Sequence, residues 1–122
     1  MHWDSGVYVV PVRINEEITL NAVVDSGASD VSVPRDVVLT LIRTGTVAEE
    51  DFLGQRTYTL ADGSQVPSPR FRLKSLRVGD MTAENVEALI ADENATNLLG
   101  QSFLSRFQSW SVDNNRHVLI LH

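Results

Sequence analysis

The chain has 122 residues, which is room for one ordinary domain, and we expect residues 1–122 to form a single one. Its formal net charge of -6 argues against nucleic acid as a partner, because phosphate binding requires a clustered excess of Lys and Arg. The absence of cysteine excludes a disulfide scaffold, a thiol nucleophile and a cysteine zinc site.

No apolar run approaches the roughly 20 residues that are needed to cross a bilayer, so we expect no membrane contact by this segment. The first residues, Met1 to Asp4, lack the basic head and the apolar body of a signal peptide. The cellular compartment stays open, because a segment excised from a longer, membrane-anchored protein is compatible with this sequence.

Short runs of alternating apolar and polar residues, broken by turn residues, predict an all-β domain. The first two predicted strands are residues 7–14 and residues 18–24, joined by a turn at Asn15-Glu16-Glu17. Pro11 predicts an edge position or a bulge in the first strand, because proline has no N–H to donate to a neighbouring strand.

The pattern changes after a short predicted strand at Val31 and Val33. Apolar residues recur at helical spacing over residues 37–42, Pro34 suits a first helical turn, and Gly45 lies just past the end. These features predict one short helix.

A hairpin is predicted from the next two extended runs, residues 55–60 and 65–73. Between them lies the turn Ala61, Asp62, Gly63 and Ser64. The Asp-Gly pair is a strong hairpin signal, because both residues tolerate positive φ.

The remaining predicted features are a turn at Gly79-Asp80, a strand over residues 86–90, one or two helical turns within residues 102–107, and strands at 109–112 and 117–121 joined by Asn114-Asn115. The acidic run Glu49-Glu50-Asp51, between the predicted helix and the hairpin, is interpreted as a solvated loop.

The triplet Asp25-Ser26-Gly27 is the candidate site for chemistry. In isolation such a triplet indicates a solvated turn, since all three residue types favour turns. Here it follows the apolar end of a strand, Val23-Val24, and apolar residues resume at Val31. This context predicts a carboxylate at the floor of a packed sheet, and Gly27 would allow a sharp backbone turn and the close approach of another chain.

The segment Val23-Val24-Asp25-Ser26-Gly27-Ala28-Ser29 resembles the active-site loop of the retropepsin-like aspartic peptidases. Downstream, Leu98-Leu99-Gly100 is similar to the second signature of that family, two apolar residues and a glycine. The predicted hairpin lies between them, where the family carries its flap. The resemblance covers nearly the whole chain, and it is to the single-domain, bacterial-type members related to the retroviral proteases.

This resemblance implies a closed, β-barrel-like acid-protease fold with one or two short helices and a flap hairpin. It implies a homodimer that acts on a peptide or protein substrate with water as co-substrate, without a metal or other cofactor. The implied site consists of the catalytic Asp25, the active-site loop residues Ser26, Gly27 and Ala28, the supporting residues Leu98, Leu99 and Gly100, and the flap residues Ala61, Asp62, Gly63 and Ser64.

The chemistry explains the need for two copies. Peptide hydrolysis requires a base that takes a proton from the attacking water and an acid that protonates the carbonyl oxygen or the leaving nitrogen. Two carboxyl groups about 3 Å apart share one proton, so that one acts as base and the other as acid. The motif of two apolar residues, Asp, Ser and Gly followed by Ala occurs only once in this chain, at residues 23–28, which predicts that each protomer contributes one Asp25.

The sequence departs from the retroviral pattern at two positions. Retroviral members often have an Asp two residues after the motif glycine, paired with an Arg after the second-signature glycine. Ser29 and Gln101 occupy these positions here, so the ion pair is lost and a neutral hydrogen bond is the expected replacement.

Two other functions remain open at this level. One is a retropepsin-like dimer without catalytic activity that binds peptides or serves in assembly, because a fold does not fix a function. The other is an unrelated small β-barrel that binds a ligand as a monomer. A metal site is not expected, since none of the three histidines has a metal-type spacing such as His-Glu-x-x-His.

Overall fold

The computed structural model describes residues 2–4, 7–59, 61–92, 95–113, 115 and 118–122. Strands dominate the described residues. They are β1 (His2–Asp4), β2 (Val7–Ile14), β3 (Ile18–Val24), β4 (Val31–Pro34), β5 (Phe52–Thr59), β6 (Gln65–Val78), β7 (Met81–Ala91), β8 (Leu98–Leu99), β9 (Trp110–Asp113) and β10 (Val118–Leu121). The helices are α1 (Arg35–Arg43), a short 3-10 helix (Glu49–Asp51) and α2 (Gln101–Leu104).

Eight strands form one sheet that closes on itself. Its order is β1-β2-β3-β8-β4-β7-β6-β5, and β2 also pairs with β6 through Arg13 opposite Arg77 and Ile14 opposite Leu76. Six strands therefore complete a ring, while β1 and β5 lie outside it, and β9 and β10 form a separate pair. The prediction of an all-β domain is confirmed, and the ring of strands agrees with the predicted barrel-like closure.

The turn between β2 and β3 spans Asn15, Glu16 and Glu17, as predicted. Asn15 and Glu16 have φ values of 52° and 57°, and the Glu17 N–H donates to the Ile14 carbonyl oxygen at 2.9 Å. Such a turn matches the twist of the flanking strands. Pro11 lies opposite Asn21, beyond the part of β2 that pairs with β1 and before the part that pairs with β6. It therefore occupies a locally open edge, where a missing N–H costs little.

Two parallel pairings determine where the candidate site forms. Strand β3 runs parallel to β8 and β4 runs parallel to β7, while Ser32 in β4 lies opposite Leu98 in β8. The short β8 is thus inserted between β3 and β4. The loop that joins β3 to β4 consequently meets the segment after β8, although the two are far apart in sequence.

Helix α1 agrees with the prediction in this region. Pro34 directly precedes it, and Gly45 follows its end with a φ of 82°, a conformation that favours glycine. Val38 and Leu41 on its inner face are buried. Helix α2 is a single turn, the shorter of the two predicted lengths, and it buries Phe103 and Leu104.

Strands β5 and β6 extend beyond the ring as a two-stranded ribbon. Residues 55–59 pair with residues 65–69, and the pairing of β6 with β7 begins only at Arg70. Pro67 and Pro69 therefore lie where one edge of β6 has no described partner strand, which is the position that proline tolerates in a sheet. The predicted hairpin is thus present as a ribbon that projects from the body.

The core lies inside the ring and under the two helices. Its fully buried side chains come from strands on every side of the ring and from both helices; the largest are Phe71, Phe103, Ile14, Leu41, Leu73, Leu76, Leu99 and Leu104. Among the helices that the structure describes, none has the length and apolar character needed to cross a membrane.

Candidate active site

Asp25 directly follows β3 and is only partly buried. Its backbone N–H donates to the Leu99 carbonyl oxygen at 3.1 Å, which extends the β3–β8 pairing by one residue. Its carboxylate oxygen Oδ1 accepts the Gly27 N–H at 3.0 Å. Both ends of the residue are therefore fixed, while part of the side chain stays open to solvent.

The turn after Asp25 presents its next residues outward. The Ala28 N–H donates to the Asp25 carbonyl oxygen at 3.2 Å, and Ser26 and Gly27 are exposed. A Cβ at Gly27 would lie 3.3 Å from Asp25 Oδ1, so a side chain there would crowd the carboxylate. The glycine keeps this approach open.

The second signature supports this loop from below. Leu99 is fully buried, and Gly100 is in close contact with the loop backbone. A Cβ on Gly100 would lie 2.3 Å from the Asp30 carbonyl oxygen and 2.8 Å from the Ala28 carbonyl oxygen, closer than real Cβ atoms approach. Only glycine fits at this crossing of two backbones.

Backbone hydrogen bonds continue this support into α2. The Gln101 N–H donates to the Ala28 carbonyl oxygen and the Ser102 N–H donates to the Ser29 carbonyl oxygen, both at 2.9 Å. These N–H groups belong to the first turn of α2, where no intrahelical acceptor exists. The start of α2 and the Asp25 loop therefore satisfy each other's backbone groups.

Ser102 is a supporting residue that the sequence analysis missed. Its Oγ accepts the Val31 N–H at 2.9 Å and donates to the Glu87 carbonyl oxygen at 2.7 Å, which joins β4 to β7. The available signal was a small polar residue between the apolar pairs Leu98-Leu99 and Phe103-Leu104. A lone serine in such a run indicates a hydroxyl with partners, but it does not identify them.

The side chains of Ser29 and Gln101, which replace the retroviral ion pair, take separate partners. Gln101 Nε2 donates to the Ser26 carbonyl oxygen at 2.9 Å. Ser29 Oγ donates to Asp30 Oδ2 at 3.2 Å. The two side chains therefore do not replace the ion pair by bonding to each other, and Gln101 is connected instead to the peptide group next to Asp25.

A cleft of about 260 Å³ adjoins the loop. Its lining comes from the loop and from the strands beside it: Gly27, Ala28, Ser29, Asp30, Ser32, Leu89 and Leu98. A larger hollow of about 500 Å³ lies between β2, the β6–β7 turn and β10, and it shares no lining residue with the cleft. The smaller cleft is the one that adjoins the candidate chemistry.

The hairpin tip is held by its own turn. Asp62 Oδ1 accepts hydrogen bonds from the Ser64 hydroxyl at 2.6 Å and from the Ser64 N–H at 2.9 Å. These bonds hold the pKa of the Asp62 carboxyl below its usual value, and the bond from the Ser64 hydroxyl has the larger effect. Gly63 has a φ of 87° with open space around it, and Ala61 is exposed. The predicted turn is therefore a small, self-contained structure at the end of the ribbon.

The acidic run before β5 was predicted to be a solvated loop, and this interpretation was wrong for Asp51. Its side chain is fully buried and accepts hydrogen bonds from the Arg72 guanidinium at 2.8 and 3.2 Å and from the Ala48 N–H at 2.9 Å. Burial raises the pKa of Asp51, but these bonds and the nearby Lys74 charge outweigh it, so that the pKa lies below its usual value. Asp51 thus anchors the base of the β5–β6 ribbon.

The described residues contain no group of three or more His, Cys, Asp or Glu side chains that could hold a metal ion. His117, at the start of the last predicted strand, lies outside the described residues.

Comparisons with known proteins agree with this geometry. The family model described as "Aspartyl protease" matches residues 10–103, which is most of the chain and includes the Asp25 loop and Gly100. The crystal structure of a retropepsin-like aspartic protease from Rickettsia conorii is similar to this chain with a TM-score of 0.70 and 24% sequence identity. That likeness covers 98% of this chain and 93% of the other. No curated protein matches the sequence. The chain therefore belongs to the aspartyl protease family and has the retropepsin-like fold.

Proposed function

We propose that this protein is an aspartic endopeptidase that works as a homodimer, with one Asp25 carboxyl group from each protomer. The observation that carries the proposal is the setting of Asp25. It is partly exposed, its backbone and one carboxylate oxygen are fixed, and its neighbours Ser26 and Gly27 face outward. Only Asp25 lies in the full motif of two apolar residues, Asp, Ser, Gly and Ala, so the second carboxyl group is proposed to come from a second copy.

In the proposed reaction a water molecule attacks the carbonyl carbon of the scissile peptide bond. One Asp25 carboxylate takes a proton from the water while the new C–O bond forms, and the protonated Asp25 of the partner subunit donates its proton to the carbonyl oxygen. The C–N bond then breaks as the first Asp25 passes the proton taken from water to the leaving nitrogen, and the partner's Asp25 takes a proton back from a hydroxyl group of the tetrahedral intermediate. The pair then holds one proton again, as it did at the start.

Such a pair works only while it holds a single proton. At low pH both carboxyl groups are protonated and no base remains, while at high pH both are ionised and no acid remains. The rate is therefore expected to be bell-shaped in pH, with both limbs belonging to the pair. Because carboxyl groups titrate in acid, the optimum is expected below neutrality.

The β5–β6 ribbon is proposed to close over the bound peptide. In support, it projects beyond the ring, its tip is exposed, and its base is tied to the body by Asp51 and Arg72. A lid has to open for the substrate and then exclude water, which requires a mobile tip on a firm base. The cleft beside Gly27 to Asp30 is proposed to receive side chains of the peptide.

The direct test is the cleavage of a peptide mixture, followed by mass spectrometry, for the parent and for Asp25→Asn. We expect the variant to lose activity by ~10²–10⁴-fold, because an amide cannot act as a base. Asp80→Asn, in the exposed β6–β7 turn, removes the same charge as a matched control and is expected to cleave like the parent. Equal cleavage by Asp25→Asn and the parent would refute the assignment.

The dimer is tested by mixing subunits. When inactive Asp25→Asn chains are added in tenfold excess, roughly nine in ten parent subunits should enter mixed dimers with a single carboxylate. Activity should fall accordingly if two carboxylates are required. An activity that does not respond to the excess would mean that one chain is sufficient. A stable dimer that cleaves nothing would favour the catalytically silent binding or assembly module.

A further inference from the structure

One peptide group connects Gln101 to Asp25. The carbonyl oxygen of Ser26 accepts the hydrogen bond from Gln101 Nε2 at 2.9 Å. The N–H of Gly27, which belongs to the same peptide group, donates to Asp25 Oδ1 at 3.0 Å. Because a peptide group is planar, fixing its carbonyl oxygen also fixes the direction of its N–H.

We infer that Gln101 is a positioning residue, which sets the orientation of the Ser26–Gly27 peptide group and through it the orientation of the Asp25 carboxylate. A hydrogen bond accepted by the carbonyl also polarises the N–H of the same peptide group, so the donor to the carboxylate becomes stronger. The inference rests on the proposed function in so far as Asp25 is the catalyst.

The backbone of Gln101 adds a second restraint on the same loop. Its N–H donates to the Ala28 carbonyl oxygen at 2.9 Å, so one residue holds the carbonyl groups on both sides of Gly27. Gly27 and Ser26 are exposed, and no side chain at Gly27 limits the rotation of the adjoining peptide groups. A turn of this kind needs an external restraint, and the half-buried Gln101 side chain supplies it.

The neutral amide also has a chemical consequence. Gln101 donates a hydrogen bond without a charge, so its restraint is independent of pH and only weakly dependent on salt. A glutamate at this position donates only while it is protonated, below about pH 4. Once ionised, it has no donor and places a negative charge against the Ser26 carbonyl oxygen.

The experiment compares Gln101→Leu and Gln101→Glu with the parent over pH 3–7 at protein concentrations that saturate the dimer. For Gln101→Leu we expect kcat to fall by about tenfold to a hundredfold with a smaller change in KM, since small misplacements of a catalytic group are costly.

For Gln101→Glu the activity relative to the parent should be highest at the lowest pH and fall as the glutamate ionises. Gln108→Glu adds the same charge at an exposed position and serves as the matched control. The ratio of its activity to that of the parent should not change with pH. Thermal melting of all variants reports whether they are folded. A parent-like kcat in Gln101→Leu, or an activity ratio to the parent that does not change with pH in Gln101→Glu, would overturn the inference.

A second readout separates this inference from the proposed function. Amide hydrogen exchange of Gly27, followed by NMR, should be faster in Gln101→Leu than in the parent and unchanged in Gln108→Glu. If the parent cleaves no peptide, the proposed function fails, while the exchange rate of Gly27 still decides whether Gln101 positions the loop. Unchanged exchange in Gln101→Leu would refute the positioning role.

Discussion

The Asp25 loop and the hairpin tip at residues 61–64 are both turns, but they are held in different ways. The loop is fixed by backbone groups of Leu99, Gln101 and Ser102, more than 70 positions away in the sequence. The tip is fixed by Asp62, whose two described side-chain bonds both end on Ser64. The proposed catalytic loop is thus held by distant parts of the fold, while the described side-chain bonds of the proposed lid tip are local.

The largest expected difference between the loop and the tip is in the stability cost of replacing their glycines. Gly100→Ala should destabilise the protein by about 3 kcal/mol or more, because its Cβ would clash with the backbone of Asp30 and Ala28, which cannot move without disturbing the core. Urea unfolding measures this. Gly63→Ala serves as the matched control in the hairpin, and equal losses in the two variants would contradict the difference in packing.

A substitution at the base of the ribbon should lower the free energy of unfolding, as one in the Asp25 loop does and one at the hairpin tip does much less. Asp51→Asn should lower the free energy of unfolding at neutral pH by about 1–3 kcal/mol, since the hydrogen-bonded charge pair with Arg72 is lost. Because the native pKa of Asp51 lies below the ordinary aspartate value of 3.8, the ionised carboxyl stabilises the fold at higher pH. That contribution is lost as the pH falls from about 3.8 through the native pKa.

The test is a pair of unfolding curves for the parent and Asp51→Asn between pH 7 and pH 2. The difference between them should be constant near neutrality and shrink below pH 3.8, the ordinary pKa of an aspartate. Glu50→Gln, an exposed neighbour in the same 3-10 turn, should change stability little at pH 7. A difference in unfolding free energy that does not depend on pH would mean that the charge of Asp51 does not contribute to stability.

The hairpin tip should show the smallest effect on stability and a larger one on turnover. Gly63→Ala should cost about 1–2 kcal/mol, because φ is 87° but no atom lies within 4 Å of the added Cβ. Gly63→Val adds a branched side chain at the turn. It should lower kcat even under conditions where its unfolding free energy shows that the protein remains folded. Kinetics unchanged from the parent in both variants would argue against a lid.

Much of the fold could be predicted from the sequence because its signals are local. Alternation predicted the strands, Pro34 and Gly45 predicted the limits of α1, and the Asp-Gly pair predicted the hairpin turn. The limits of strands were less predictable. Strand β6 continues to Val78, beyond the predicted residue 73, because its pairing with β7 outweighs the polar residues Lys74 and Ser75.

The candidate site residues could be identified from the sequence, since Asp25-Ser26-Gly27 and Leu98-Leu99-Gly100 are contiguous motifs. Their contact partners became known only from the folded chain. That Gln101 reaches the Ser26 carbonyl oxygen, that Ser102 joins β4 to β7, and that Asp51 is buried all depend on how distant strands align. The parallel register of β3 and β8 brings the start of α2 to the Asp25 loop, and a register between strands that are roughly 75 positions apart leaves no periodic signal in either of them.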